Sequence, residues 1–135
     1  MTKQNYKLLF LTLLMLLFGT ISALGQKGSV VEKNIEFKRG SSSATMKGVV
    51  EDRLDSHIFH LRAKAGQTMS VRMISPKPLR DAYLVVNFPL TANGENELVS
   101  NKRRYVIKLP RDGDYEIYIE AVRDKIPYTI TVSIK

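Results

Sequence analysis

From Lys27 onward the chain alternates apolar and polar residues with a period of two. Phe59, Leu61 and Ala63 interleave with His60, Arg62 and Lys64, and Met69, Val71 and Met73 with Ser70 and Arg72. Tyr115, Ile117, Ile119 and Ala121 interleave with Glu116, Tyr118 and Glu120. Tyr128, Ile130, Val132 and Ile134 interleave with Thr129, Thr131, Ser133 and Lys135. Side chains of a strand point alternately to opposite faces, so each segment buries one face and wets the other. The pattern predicts about eight strands, near 30–37, 43–50, 57–64, 67–74, 82–88, 104–109, 114–122 and 127–134. Valine, isoleucine, tyrosine and threonine fit a pleated, half-buried surface. Short strands at this spacing predict an all-β fold, an antiparallel β-sandwich of jelly-roll type.

Turn chemistry separates the segments. Arg39-Gly40-Ser41, Ala65-Gly66-Gln67, Ser75-Pro76-Lys77-Pro78, Asn93-Gly94 and Pro110-Arg111-Asp112-Gly113 carry residues suited to special backbone angles. Ala65-Gly66-Gln67, between two alternating runs, reads as a tight hairpin. Asp112 and Asp114 flank Gly113 in what reads as another. Residues 90–103 break the alternation and read as the longest loop, ending in the basic run Lys102-Arg103-Arg104.

The first 25 residues follow different rules. Lys3 and Lys7 precede an apolar run from Leu8 to Phe18, too short for the roughly 20 residues of a membrane-spanning helix. Small residues follow, and Ala23-Leu24-Gly25 suits a signal peptidase, which predicts cleavage before Gln26. Residues 1–25 are thus expected to be a secretory signal and residues 26–135 a single domain in the periplasm or outside the cell. The signal takes two of the 21 basic residues, leaving 19 against 13 acidic ones, a formal charge of +6. That surplus favours encounters with acidic surfaces. Its scatter between strands, and the exported compartment, speak against a nucleic-acid partner. With no cysteine there is no disulfide, no thiol nucleophile and no attachment point for a bacterial lipid anchor, so no membrane anchor is expected after cleavage.

The candidate chemistry is sparse. His57 and His60 fall on opposite faces of one predicted strand and cannot ligate one metal together, so each reads as an ordinary surface or edge residue. Ser41, Ser42 and Ser43 lack a nucleophile-elbow context and read as satisfying backbone groups where a strand starts. No calcium loop, phosphate-binding glycine loop or cofactor pattern is present. These residues describe a binder and not an enzyme.

Three segments carry a more specific likeness. Ile35-Glu36-Phe37-Lys38-Arg39-Gly40-Ser41-Ser42-Ser43-Ala44 followed by Gly48 resembles the opening of the periplasmic g-type lysozyme inhibitors. Phe59-His60-Leu61-Arg62-Ala63-Lys64-Ala65-Gly66-Gln67-Thr68-Met69 is similar to that family's aromatic strand and following turn. Leu109-Pro110-Arg111-Asp112-Gly113-Asp114-Tyr115-Glu116-Ile117 is similar to a later one, and Tyr128 to Ile134 echoes its closing strand. Related motifs also occur in pre-peptidase carboxy-terminal domains, a broader group of β-sandwiches. The resemblance implies stoichiometric blockade of a g-type lysozyme by loops entering its cleft. The family's Arg-rich loop between the last two strands corresponds here to Val122-Arg123-Asp124-Lys125-Ile126-Pro127-Tyr128, where Arg123 and Asp124 match and a second arginine and several further residues are missing. Arg123, Asp124 and Lys125, with Lys102, Arg103 and Arg104, are therefore the candidate partner-binding residues. A different reading is a glycan- or envelope-protein-binding module that uses an exposed Tyr118 and the 90–103 loop.

Overall fold

The structure, a computed structural model, describes Gly25 and residues 28–135. The rest of the expected export signal lies outside the described residues. Among the described residues nine strands form: β1 (Val30–Asn34), β2 (Ser43–Val50), β3 (Ser56–Ala63), β4 (Thr68–Ile74), β5 (Ala82–Asn87), β6 (Leu98–Lys102), β7 (Arg104–Lys108), β8 (Gly113–Ala121) and β9 (Ile126–Ile134). A 3-10 turn at Leu79–Asp81 leads into β5. One sheet has the order β1-β3-β8-β5-β6 and the other β2-β9-β4-β7. All neighbours pair antiparallel except β1 and β3, which run parallel from Val30↔Ser56 to Asn34↔His60. The molecule is an antiparallel-rich β-sandwich.

The alternation locates the core. Phe59, Leu61, Leu84, Val86, Tyr115, Ile117 and Ile119 of the first sheet meet Met69, Val71, Ile130 and Val132 of the second, all buried. Full burial of one such side chain stabilises by about 1.5–3 kcal/mol, and with no disulfide this layer must hold the fold. The second sheet includes one close approach that only glycine allows. Gly48 lies opposite Tyr128 in the β2–β9 register, and a Cβ there would come 2.5 Å from the Tyr128 hydroxyl.

Two expectations change. The expected 90–103 loop contains an extra strand, β6. Leu98 pairs with Asn87, Val99 with Val86 and Lys102 with Leu84, with a register shift between Leu84 and Val86. A short edge strand interrupted by a bulge leaves almost no periodic trace. The two expected hairpins are also not hairpins. Ala65-Gly66-Gln67 leads from β3 in one sheet to β4 in the other, and the turn ending at Gly113 leads from β7 to β8, again across the sandwich. Both flanking runs do turn their apolar faces to one core, but from opposite sides, and alternation is identical in the two cases. Among the described residues, only β5 and β6 are consecutive strands paired in one sheet. At the start of β2, Ser41 Oγ accepts from the Ser43 N–H at 3.2 Å and donates to its carbonyl at 2.9 Å, the backbone role expected of these serines.

Candidate functional site

The repeated crossing gathers specific loops at one end of the sandwich. Residues 51–55, 75–81, 103 and 122–125 connect the ends of β2, β4, β6 and β8 to the starts of β3, β5, β7 and β9. The registers Val50↔Ile126, Ala82↔Ala121, Ile74↔Thr129 and Arg72↔Arg104 set these termini side by side. All six candidate binding residues, drawn from two distant segments, therefore lie at the same end.

The β8–β9 loop, Val122 to Lys125, is short and pinned at every residue. The Val122 N–H donates to the Asp81 carbonyl at 2.8 Å, and Arg123 Nε donates to Asp81 Oδ1 at 3.1 Å. Asp124 Oδ1 accepts from the Arg53 N–H at 2.8 Å, and the Lys125 N–H donates to the Glu51 carbonyl at 3.1 Å. Lys125 takes a left-handed φ of 54° to close so tight a connection, a conformation uncommon for a side-chain-bearing residue. The Asp81 side chain is 11% exposed while that of Arg123 is 71% exposed. A buried carboxylate thus holds the base of an outward-reaching guanidinium. Arg123 and Asp124 also line an open depression with Asp52, Arg53 and Val122.

Arg103 faces inward. Its Nε donates to the Ala82 carbonyl at 3.0 Å, Nη2 to the Pro78 carbonyl at 2.8 Å and Nη1 to the Ser75 carbonyl at 3.4 Å. Arg103 and Arg123 thereby grip the same 75–82 segment from two sides, while Lys102 and Arg104 remain exposed. On the other flank, Asp55 accepts from the N–H and hydroxyl of Ser29 at 2.7 and 2.8 Å. The backbone bond from Ser29 is the main reason its carboxyl is held below the usual carboxylate range.

Several residues of this end carried no sequence signal. Leu54, Leu79 and Val122 are exposed aliphatics beside Arg53, Arg80 and Arg123. Apolar and arginine side chains in this mixture are enriched at protein interfaces. Asp81 is the most consequential omission. An acidic residue after a proline-rich turn looks like solvated loop, and only the fold shows that it is buried and bonded to the β8–β9 loop.

Beneath these loops lies His57, expected at the surface or an edge and found buried at 9% exposure. Its Nδ1 is 2.7 Å from the Tyr128 hydroxyl, and the two rings meet edge to face. The correction follows from the side of β3 that His57 occupies: it shares the inward face with Phe59 and Leu61 and meets Tyr128 of the facing sheet. His60, on the outward face, is half-buried and lies 3.1 Å from Glu32 on β1. Tyr118, expected to be exposed, is half-buried and donates to Glu116 at 2.8 Å. No group of three or more His, Cys, Asp or Glu that could hold a metal ion occurs among the described residues.

Burial lowers the His57 pKa, Asp55 opposes that shift and Lys33 adds to it, so the folded protein favours the neutral ring. As pH falls below about 6.5, the reference value, the unfolded chain binds this proton first. Stability therefore declines with acidification until pH passes the folded-state pKa. His57→Gln is expected to flatten the slope of unfolding free energy between pH 7 and 5, measured by urea titration at each pH. At the other extreme, burial pushes the Tyr128 hydroxyl up to about 12, so its contribution is lost as pH rises above about 10.

The class of protein defined by these observations is a two-sheet, antiparallel-rich β-sandwich with a rigid, arginine-bearing loop end and no evident catalytic constellation among the described residues. Its fold resembles those of periplasmic inhibitors of g-type lysozyme. The crystal structure of Aeromonas hydrophila PliG, a periplasmic lysozyme inhibitor of g-type lysozyme, aligns with a TM-score of 0.66 at 24% identity, over 80% of this chain and 99% of that one. Salmonella Typhimurium PliG aligns with a TM-score of 0.61 at 23% identity, over 78% and 98%. A mutant of the Escherichia coli PliG aligns with a TM-score of 0.56 at 25% identity, over 80% and 99%. These neighbours are inhibitor proteins, not enzymes. No protein-family model matches the chain, and no curated protein matches it.

Proposed function

We propose that this chain is a non-enzymatic inhibitor of g-type lysozyme, exported by residues 1–25 to the periplasm or beyond. The end bearing Arg123, Asp124, Lys125, Lys102, Arg103 and Arg104 enters the enzyme's active-site cleft. The observation that carries this reading is Arg123, fixed at its Nε by buried Asp81 yet largely exposed at the tip of a pinned loop. With Nε engaged, the two Nη groups form the outward fork. A glycosidase cleft presents carboxylates flanking the scissile bond. An end-on guanidinium can bond such a group through two parallel, charge-assisted hydrogen bonds. Leu79 and Val122 would supply apolar contact around it, and Lys102, Arg104 and Lys125 would add attraction at the rim. The likeness to the three PliG structures supports the same reading.

The test is a titration of g-, c- and i-type lysozymes with purified residues 26–135. Stoichiometric loss of g-type activity, with weaker or no loss for the other two, is the expected result. Undiminished g-type activity at a large molar excess would overturn the proposal.

A further inference from the structure

We propose that the outward face of the β2-β9-β4-β7 sheet docks onto an anionic lipid bilayer. This surface lies outside the inhibitory loop end and shares only Arg104 with it. The four strands of this sheet contain no aspartate or glutamate. Their outward positions hold serine and threonine hydroxyls and a few aliphatic side chains, together with Lys47, Arg72, Arg104 and Lys108, all four exposed.

Arg72 of β4 lies directly opposite Arg104 of β7, and its other neighbour is Thr131 of β9. Like charges directly opposite on one sheet face are destabilising. No carboxylate on these strands relieves the repulsion. A local rule broken without compensation inside the folded chain marks a surface shaped by something outside it. The outer face of the other sheet is built differently. There Glu116 lies opposite both His60 and Asn87, and His60 is 3.1 Å from Glu32, so unlike groups meet. Acidic residues of the strands are confined to that first sheet, which polarises charge across the thickness of the sandwich.

The chemistry selects the occupant. Ile74 and Val106 stand 55% and 61% exposed among the cations. Tyr105 and Tyr128, the aromatic residues of these strands, are buried and leave the face without a ring on which a nucleobase could stack. Cations for phosphate, hydroxyls for ester and glycerol oxygens, and small aliphatic groups that enter the headgroup boundary together match an anionic membrane surface.

The experiment is co-sedimentation of residues 26–135 with phosphatidylcholine vesicles, with and without phosphatidylglycerol. Binding to the anionic vesicles alone, weakened by added salt, is expected. Each basic residue near such a surface contributes about a fivefold factor, so the triple variant Lys47→Gln, Arg72→Gln, Lys108→Gln should bind about a hundredfold more weakly. Its urea midpoint should equal or exceed that of the parent, since the Arg72–Arg104 repulsion is gone, and its lysozyme titration should be unaltered. Equal binding to neutral vesicles, no binding to either, or binding indifferent to the triple variant would overturn the proposal. So would capture by soluble polyphosphate without capture by vesicles, which would assign the face to a soluble polyanion.

Discussion

Tyr115→Ala is expected to remove a large fraction of the stability of the domain, about 3–5 kcal/mol of the 5–15 kcal/mol typical of a domain. Tyr115 is fully buried on β8, which lies between β3 and β5 in the five-stranded sheet. Its ring packs against Phe88 at a centroid distance of 5.7 Å, and its hydroxyl donates to the Arg111 carbonyl at 2.7 Å. The substitution would therefore open a cavity under two sheets and free the carbonyl that shapes the turn into β8. Tyr115→Phe keeps the ring and loses one hydrogen bond, so its cost should be about 1 kcal/mol. Tyr118→Ala provides the contrast. It lies on the same strand but on the outward face, half-buried, and its loss should cost well under half as much as that of Tyr115. Urea unfolding of the three variants checks the order; near-equal costs for Tyr115→Ala and Tyr118→Ala would mean that the face assignment of β8 is wrong.

That face assignment was legible in the sequence, and the reason is physical. Tyr115, Ile117 and Ile119 share a parity, Glu116, Tyr118 and Glu120 share the other, and a strand has only two faces. The same reasoning placed Met69, Val71, Ile130 and Val132 in the core. Partner choice was not legible. The runs either side of Gly66 look like a hairpin because burial is a property of each strand against the core, whereas pairing is a property of two strands. β6 escaped notice because its one-sided pairing to β5 leaves Leu98 exposed and Val99 only half-buried. His57 shares the parity of Phe59 and Leu61 and therefore their inward face; what parity does not reveal is the Tyr128 hydroxyl of the facing sheet that gives a buried imidazole its partner.

The candidate site was legible in its pieces and not in its assembly. Arg123 and the Lys102–Arg104 run were identifiable from residue type and from the family resemblance. Their placement at one end depends on the crossings between sheets, which no local pattern encodes. The consequence for Arg103 is instructive, because three backbone carbonyls occupy its guanidinium and an adjacent identical residue, Arg104, is left exposed. Composition treats the two as equivalent, but the structure makes one a brace for the 75–82 segment. A brace of this kind matters to binding through the loop it steadies, since an interface loses affinity for every side chain it must first immobilise.

Arg123→Ala follows from that logic and carries the largest functional effect expected of a single substitution. Truncating one partner of a hydrogen-bonded charge pair buried at an interface costs 2–5 kcal/mol, so the inhibition constant for g-type lysozyme should rise by about 30-fold to a few thousand-fold. Arg123→Lys keeps the charge but not the planar fork, and should recover only part of the loss. Asp81→Ala tests the positioning. Without the carboxylate that holds Nε, Arg123 keeps its charge but must be ordered on binding, an added cost of about 0.5–1.5 kcal/mol or roughly two- to tenfold in affinity. The fold should tolerate Arg123→Ala with a modest loss, because Arg80 Nε lies 3.9 Å from the Asp81 carboxylate left behind and the Val122 N–H still bonds the Asp81 carbonyl. Urea unfolding alongside the titrations separates loss of contact from loss of structure. If the parent inhibits and Arg123→Ala inhibits equally well, the β8–β9 loop is not the element that enters the cleft. The exposed aliphatic and basic residues of the 75–81 and 51–55 loops would then be the next to substitute, since they complete the same end of the sandwich.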